Sequence, residues 1–238
     1  MQKETPLGMR IGESVFCVGY LVFAFAAGSI FTARANASGN MQAGLHWVLL
    51  AVMTFLLACG DTFHLVPRVL RNIAGKGAGE NTDAFTFWLG LGNLISSITM
   101  TLFYNLLFLA VYARTHDRLT DMADDRFYIT VFNLLLVFSV IRIILCLFPQ
   151  NEWFSQTHNL KWGIIRNTPF FIVGIITVAY LFHTYQLFHG EYLLLAILVG
   201  MSFICYMLVV LYAGRKPAMG MFMIPKTVCY IWMISLFL

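Results

Sequence analysis

AFTFWLGLGNLISSITMTLFYNLLFLAVY, residues 84–112, contains no Asp, Glu, Lys, Arg or His. As a helix this run is about 43 Å long at 1.5 Å per residue, whereas the hydrocarbon core of a bilayer is roughly 30 Å thick. A stretch that long and that apolar reads as a membrane span. Six more long, sparsely charged runs occur, at about 14–33, 44–66, 127–148, 162–183, 191–213 and 219–238. Of the 238 residues, 60% are hydrophobic and 11% charged, against about 25% charged in an ordinary soluble domain. The chain therefore reads as one polytopic membrane domain, 1–238.

Only helices and closed barrels satisfy every backbone amide in lipid. These runs are continuously apolar and do not alternate as barrel strands do, so the expected fold is an all-α, seven-transmembrane-helix bundle. The longest hydrophilic loops, about 70–83, 113–126 and 149–161, are too small for an appended soluble domain. No linker, low-complexity tract or internal repeat divides the chain. Residues 1–37 end in ARANAS, which has the small residues of a signal cleavage site. Their apolar stretch exceeds the roughly 7–15 residues of a signal core, and a retained first span is expected.

With seven spans, one side holds Lys3, Arg10, Arg68, Arg71, Lys76, Lys161, Arg166, Arg215 and Lys216, and the other Arg34, Arg114, Arg118 and Arg126. Cations accumulate in cytoplasmic loops, which predicts a cytoplasmic N-terminus in the inner membrane of a prokaryote. No basic run is dense enough for nucleic acid. Cys17, Cys59, Cys146, Cys205 and Cys229 all fall inside spans without metal or redox spacing, and are expected to be free and buried.

The functional signal is a set of polar residues at one depth. ACGDTFHLVPR, residues 58–68, places Asp61, His64 and Arg68 along one helix face, with Asp61 about two turns short of the cytoplasmic boundary. Arg142, in the fourth span, and Lys226, in the seventh, lie at a similar height. Asn93, Ser96 and Ser97 in the third span share the layer, and Arg166 and Asn167 in the fifth sit slightly nearer water. An ionised group in the membrane costs about 2.5–3.5 kcal/mol even on the mildest scale, so such groups are expected to face the bundle interior. Asp61 is able to neutralise Arg142 or Lys226 but not both, which predicts a site short of negative charge.

Three known arrangements bear on this layer. Lys226 in the last of seven spans, one turn before Tyr230, resembles the retinal-binding rhodopsins and implies a Schiff base at Lys226. The third span, however, lacks the acid and arginine of the microbial members. GDTFH resembles the histidine-aspartate zinc sites of alkaline ceramidases and adiponectin receptors, but their paired histidines in the last helix are absent, and His183 and His189 fall at the opposite face. ACGD and GRKPAMG echo Gly-Asp and Lys-Pro pairs of lysoplasmalogenase-type hydrolases in reversed order. No family is assigned, no metal is expected, and no cofactor is named.

The reading is a lipid-processing membrane enzyme with Asp61 and His64 as a proton-transfer pair. Asn93, Ser97, Arg142, Asn167, Lys226 and Tyr230 would bind the ligand. The partners are membrane lipids or an anionic small molecule. The competing reading is an anion transporter or ligand sensor without covalent chemistry. Small-xxx-small pairs at Ala24/Gly28 and Gly92/Ser96 are assigned to close helix packing, and Trp47, Trp153 and Trp162 to interfacial belts. His183, His189 and Glu191 are assigned to a solvated outer hairpin.

Overall fold

A computed structural model describes residues 7–73, 83–116, 122–155, 160–212 and 222–238. Lys3, Lys76, Asp117, Arg118, Asp121, Arg215 and Lys216, with much of the connecting loops, lie outside these. Among the described residues there are seven α-helices and no strand: α1 (Leu7–Ala37), α2 (Met41–Ile73), α3 (Asp83–Thr115), α4 (Met122–Leu147), α5 (Leu160–Phe188), α6 (Tyr192–Tyr212) and α7 (Met223–Ser235). The first six are long and apolar enough to cross a membrane. Thirteen-residue α7 covers about 20 Å, short of a hydrocarbon core, so its described part is shorter than the span expected at 219–238. After Ser235 the chain turns, and the Arg34 guanidinium of α1 donates to the Phe237 carbonyl at 3.0 Å and also to that of Leu238.

Each helix packs on its successor, and α1 meets α7 to close the ring. α3 runs through the middle: 61% of its most apolar stretch is buried, against 28% for that of α4. Its neighbours are α2, α4 and α5, and the Tyr104 hydroxyl bonds to Ser202 of α6 and Tyr230 of α7. That centrality follows from composition, since α3 alternates small and hydroxylic residues with large apolar ones and so admits neighbours on every side.

The α2–α3 contact fixes the height of the polar layer. Pro67 lies inside α2 and has no N–H, which leaves the Phe63 carbonyl one turn earlier without its helical donor. Gly92 of α3 packs directly on that carbonyl and on the His64 backbone. Cα–H···O contacts recur where helices pack closely, and a carbonyl without a helical donor is open to one. One turn earlier in α2, Gly60 abuts the Thr99 side chain of α3.

Past α4 the chain forms a 3-10 turn, Pro149–Asn151, and Glu152 adopts φ 51°. The Asn151 amide caps α4 by donating to the carbonyls of Leu145 at 2.6 Å and Phe148 at 2.8 Å. The Trp153 indole donates to the Cys146 carbonyl at 2.8 Å, so Trp153 is a buried plug under α4 and not the interfacial anchor expected from sequence. Two other expectations change. Cys59 is exposed, whereas Cys17, Cys146, Cys205 and Cys229 are buried and free. His183 is partly buried with its ring 4.2 Å from Phe127; only His189 of that pair is exposed, while Glu191 pairs with Arg114 at 2.9 Å.

Candidate functional site

Asp61, on α2, is held by two hydroxyls from its neighbouring helices. Tyr20 of α1 donates to Oδ2 at 2.7 Å and Ser96 of α3 to Oδ1 at 3.0 Å. Neither Arg142 nor Lys226 lies within ion-pair distance of it, so the expected direct salt bridge is replaced by hydrogen bonds. The physical reason is local: α1 and α3 flank Asp61 and present hydroxyls at the right height, while both cations lie on helices further around the ring. His64, one turn on, has a buried Nδ1 with no hydrogen-bond partner, and no hydrogen bond joins it to Asp61. Arg68 turns to Glu13 of α1 at 3.6 Å, with both side chains about a third exposed, a pair of the kind that contributes about 0–1 kcal/mol.

The cations come from α4 and α7, and Met100, which lies against Lys226, stands one turn along α3 from Ser96, which holds Asp61. Arg142 of α4 is 0% exposed, and none of its three guanidinium nitrogens has a hydrogen-bond partner. Its Cζ lies over the Phe170 ring of α5 at 3.2 Å from the centroid. Cation–π attraction reaches about 2 kcal/mol in a desolvated setting, yet it leaves all five N–H donors of the fork unspent. Lys226 of α7 is 6% exposed. Its ammonium lies 2.8 Å from the thioether of Met100 and 4.8 and 5.2 Å from the ring centres of Tyr206 and Tyr230. A thioether is a weak acceptor, so Lys226 too is held without a strong partner.

Tyr206 of α6 joins the two, since Arg142 stands 6.0 Å from the same ring. The Tyr206 hydroxyl donates to Asn167 Oδ1 at 2.8 Å, and the fully buried Asn167 donates to the Gly163 carbonyl at 2.7 Å. Behind Lys226, Ser202, Tyr104 and Tyr230 form a hydroxyl chain with 2.8 and 3.3 Å links, and Tyr230 reaches Met100 at 3.7 Å. Met100 and Ser96, one turn apart on α3, thus link Lys226 to the Asp61 half of the layer.

The structure therefore brings Arg142, Asn167, Lys226 and Tyr230 around Tyr206, with Asp61 held one turn away along the same face of α3 and His64 next to it on α2. Asn93 and Ser97 stand apart. The Ser97 hydroxyl bonds to the Asn93 carbonyl of its own helix at 2.7 Å, and no hydrogen bond or ion pair links Asn93 or Ser97 to either cation. Phe170, Tyr20, Tyr104 and Tyr206 were not predicted as site residues. Three of them are tyrosines placed well inside a span, away from the interfacial belts where tyrosine is common. A buried phenol needs a hydrogen-bond partner, and that is the sequence signal that marks them.

The described residues contain no group of three or more His, Cys, Asp or Glu able to hold a metal ion. Comparisons with protein families, curated proteins and solved structures find no match to this chain. Fold and composition define its class, a multi-pass helical membrane protein.

Proposed function

We propose that the protein recognises an amphiphilic anion, a lipid or lipid-like molecule, through Arg142 and Lys226, with Asn167 and Tyr230 shaping the site. One observation supports this reading above the rest: a guanidinium removed from water on every side with no acceptor on any nitrogen. A buried cation without a partner costs several kcal/mol, and an anion that accepts from Arg142 and displaces Met100 from Lys226 recovers that cost. Binding from the bilayer suits a site built among membrane helices. The orientation we assign is N-terminus cytoplasmic, with the layer in the inner leaflet of a prokaryotic cytoplasmic membrane; the excess of Lys and Arg on that side supports it.

Recognition without covalent chemistry is favoured over the lipid-processing reading. Asp61 accepts from Tyr20 and Ser96, and His64 Nδ1 has no hydrogen-bond partner, so the two are not joined as a general base and its helper are. The decisive comparison is the set of amphiphiles that co-purify with the wild type and with Arg142→Gln, measured by mass spectrometry. An acidic amphiphile retained by the wild type and depleted at least about ten-fold in the variant, equivalent to 1.4 kcal/mol, is the expected result. Equal retention contradicts the assignment. Headgroup turnover by the same preparation would restore the enzyme reading.

A further inference from the structure

Resting on the anion-recognition reading above, we infer that the ligand carries a single negative charge and that Asp61 sets this valence from outside the binding contacts. Three ionisable side chains share the layer, Arg142 and Lys226 buried and Asp61 half-buried, and we count each in its charged form. Nearby charges do not change the count. Arg68 is paired with Glu13. Arg166 has partners of its own, stacked 4.0 Å over Trp153 and bonded to Asn151 at 3.0 Å, and it touches neither Lys226 nor Tyr206. His64, with no carboxylate on its ring, counts as neutral.

Two cations against one carboxylate leave one positive charge uncompensated. A monoanion closes that balance, a dianion overshoots it, and a neutral molecule leaves a bare cation in the bundle. Buried charge that is not balanced is strongly unfavourable in either direction. Asp61 contributes charge but no obstruction, because its oxygens are occupied by Tyr20 and Ser96 and it stands beyond ion-pair distance of both cations. The donors of Arg142 and the ammonium of Lys226 therefore stay available to the ligand. A carboxylate fits this arrangement, with one oxygen for each cation. Its apolar body would meet the rings of Phe170, Phe203 and Tyr206, whose centroids lie 4.6 and 5.4 Å from one another along the cluster.

The test compares laurate, dodecyl phosphate, dodecanol and acetate as probes of the purified protein in non-ionic detergent, reading the shift in thermal unfolding with concentration. At about pH 7 an alkyl phosphate is already mostly dianionic, its second pKa being about 6. Laurate is expected to bind the wild type at least about ten-fold more tightly than the other three. Asp61→Asn raises the net charge by one and should move the preference toward dodecyl phosphate. Lys226→Met lowers it by one and should remove the advantage of laurate over dodecanol; it serves if Asp61→Asn fails to fold.

Tighter binding of dodecyl phosphate by the wild type, or an unchanged preference in both variants, overturns the single-charge inference while leaving anion recognition standing. Acetate binding as tightly as laurate overturns the amphiphile. Failure of every anion to bind overturns both.

Discussion

Arg142→Met is expected to make the ligand-free protein more stable, by about 1–4 kcal/mol, while abolishing retention of the anion. The guanidinium is fully buried, and Phe170 is its closest favourable contact. Replacing a buried charge that has no partner with an apolar chain of similar length removes the desolvation cost and keeps most of the packing. Methionine is flexible enough to fill the irregular space against Phe170, and thioether contacts with aromatic rings are favourable. A residue that weakens the fold where it stands is one retained for what it binds, and stability gained together with function lost is the signature of such a site. The measurement is equilibrium unfolding of delipidated protein beside mass-spectrometric ligand retention. Destabilisation by Arg142→Met would mean that the guanidinium is held by acceptors within the protein.

Gly92→Leu should have the largest destabilising effect. A Cβ at this position would lie 2.7 Å from the Phe63 carbonyl carbon and 2.8 Å from the His64 Cα, both backbone atoms, as well as colliding with the Phe63 oxygen. Backbone yields less readily than a side chain, so α2 and α3 must separate. Overpacking typically costs about 1–3 kcal/mol and occasionally more, and here the larger value is expected because Ser96, one turn from Gly92, would withdraw from Asp61. Gly19→Ala in α1 is the control: nothing lies within 4 Å of its added Cβ, and alanine gains about 0.8–1.0 kcal/mol of helix propensity. Thermal unfolding of the two variants should move in opposite directions. A Gly92→Leu protein as stable as wild type would show that the helices do not approach this closely.

The helical architecture was legible because lipid removes alternatives: a run such as 84–112, without a charge, has few structures available to it. Even so, the ends moved. α1, α2 and α5 extend well beyond their apolar cores, since a helix continues into water as long as its residues favour it, while hydropathy reports only the part suited to lipid.

The residues of the site were partly legible. Arg142 and Lys226 stand out because charge is rare in such segments, and both are buried. Their partners did not stand out. Nothing in the sequence said that Asp61 would meet Tyr20 and Ser96 in place of a cation, because that depends on which helices are neighbours in the ring. Phe170 and Met100 carry no mark distinguishing them from any other apolar residue of a span. They are defined by what lies against them, and only packing shows that. Trp153 was misplaced for a related reason: its position near a helix end suggested the interface, but the turn at Pro149–Asn151 folds it back under α4.

The most direct measurement is an experimental structure of the protein with a long-chain carboxylate brominated beside its acid group. The account predicts anomalous density for the bromine among Phe170, Tyr206 and Met100, with the carboxylate between Arg142 and Lys226. Bromine only in the surrounding lipid, with the Arg142 guanidinium turned outward to headgroups, would contradict it.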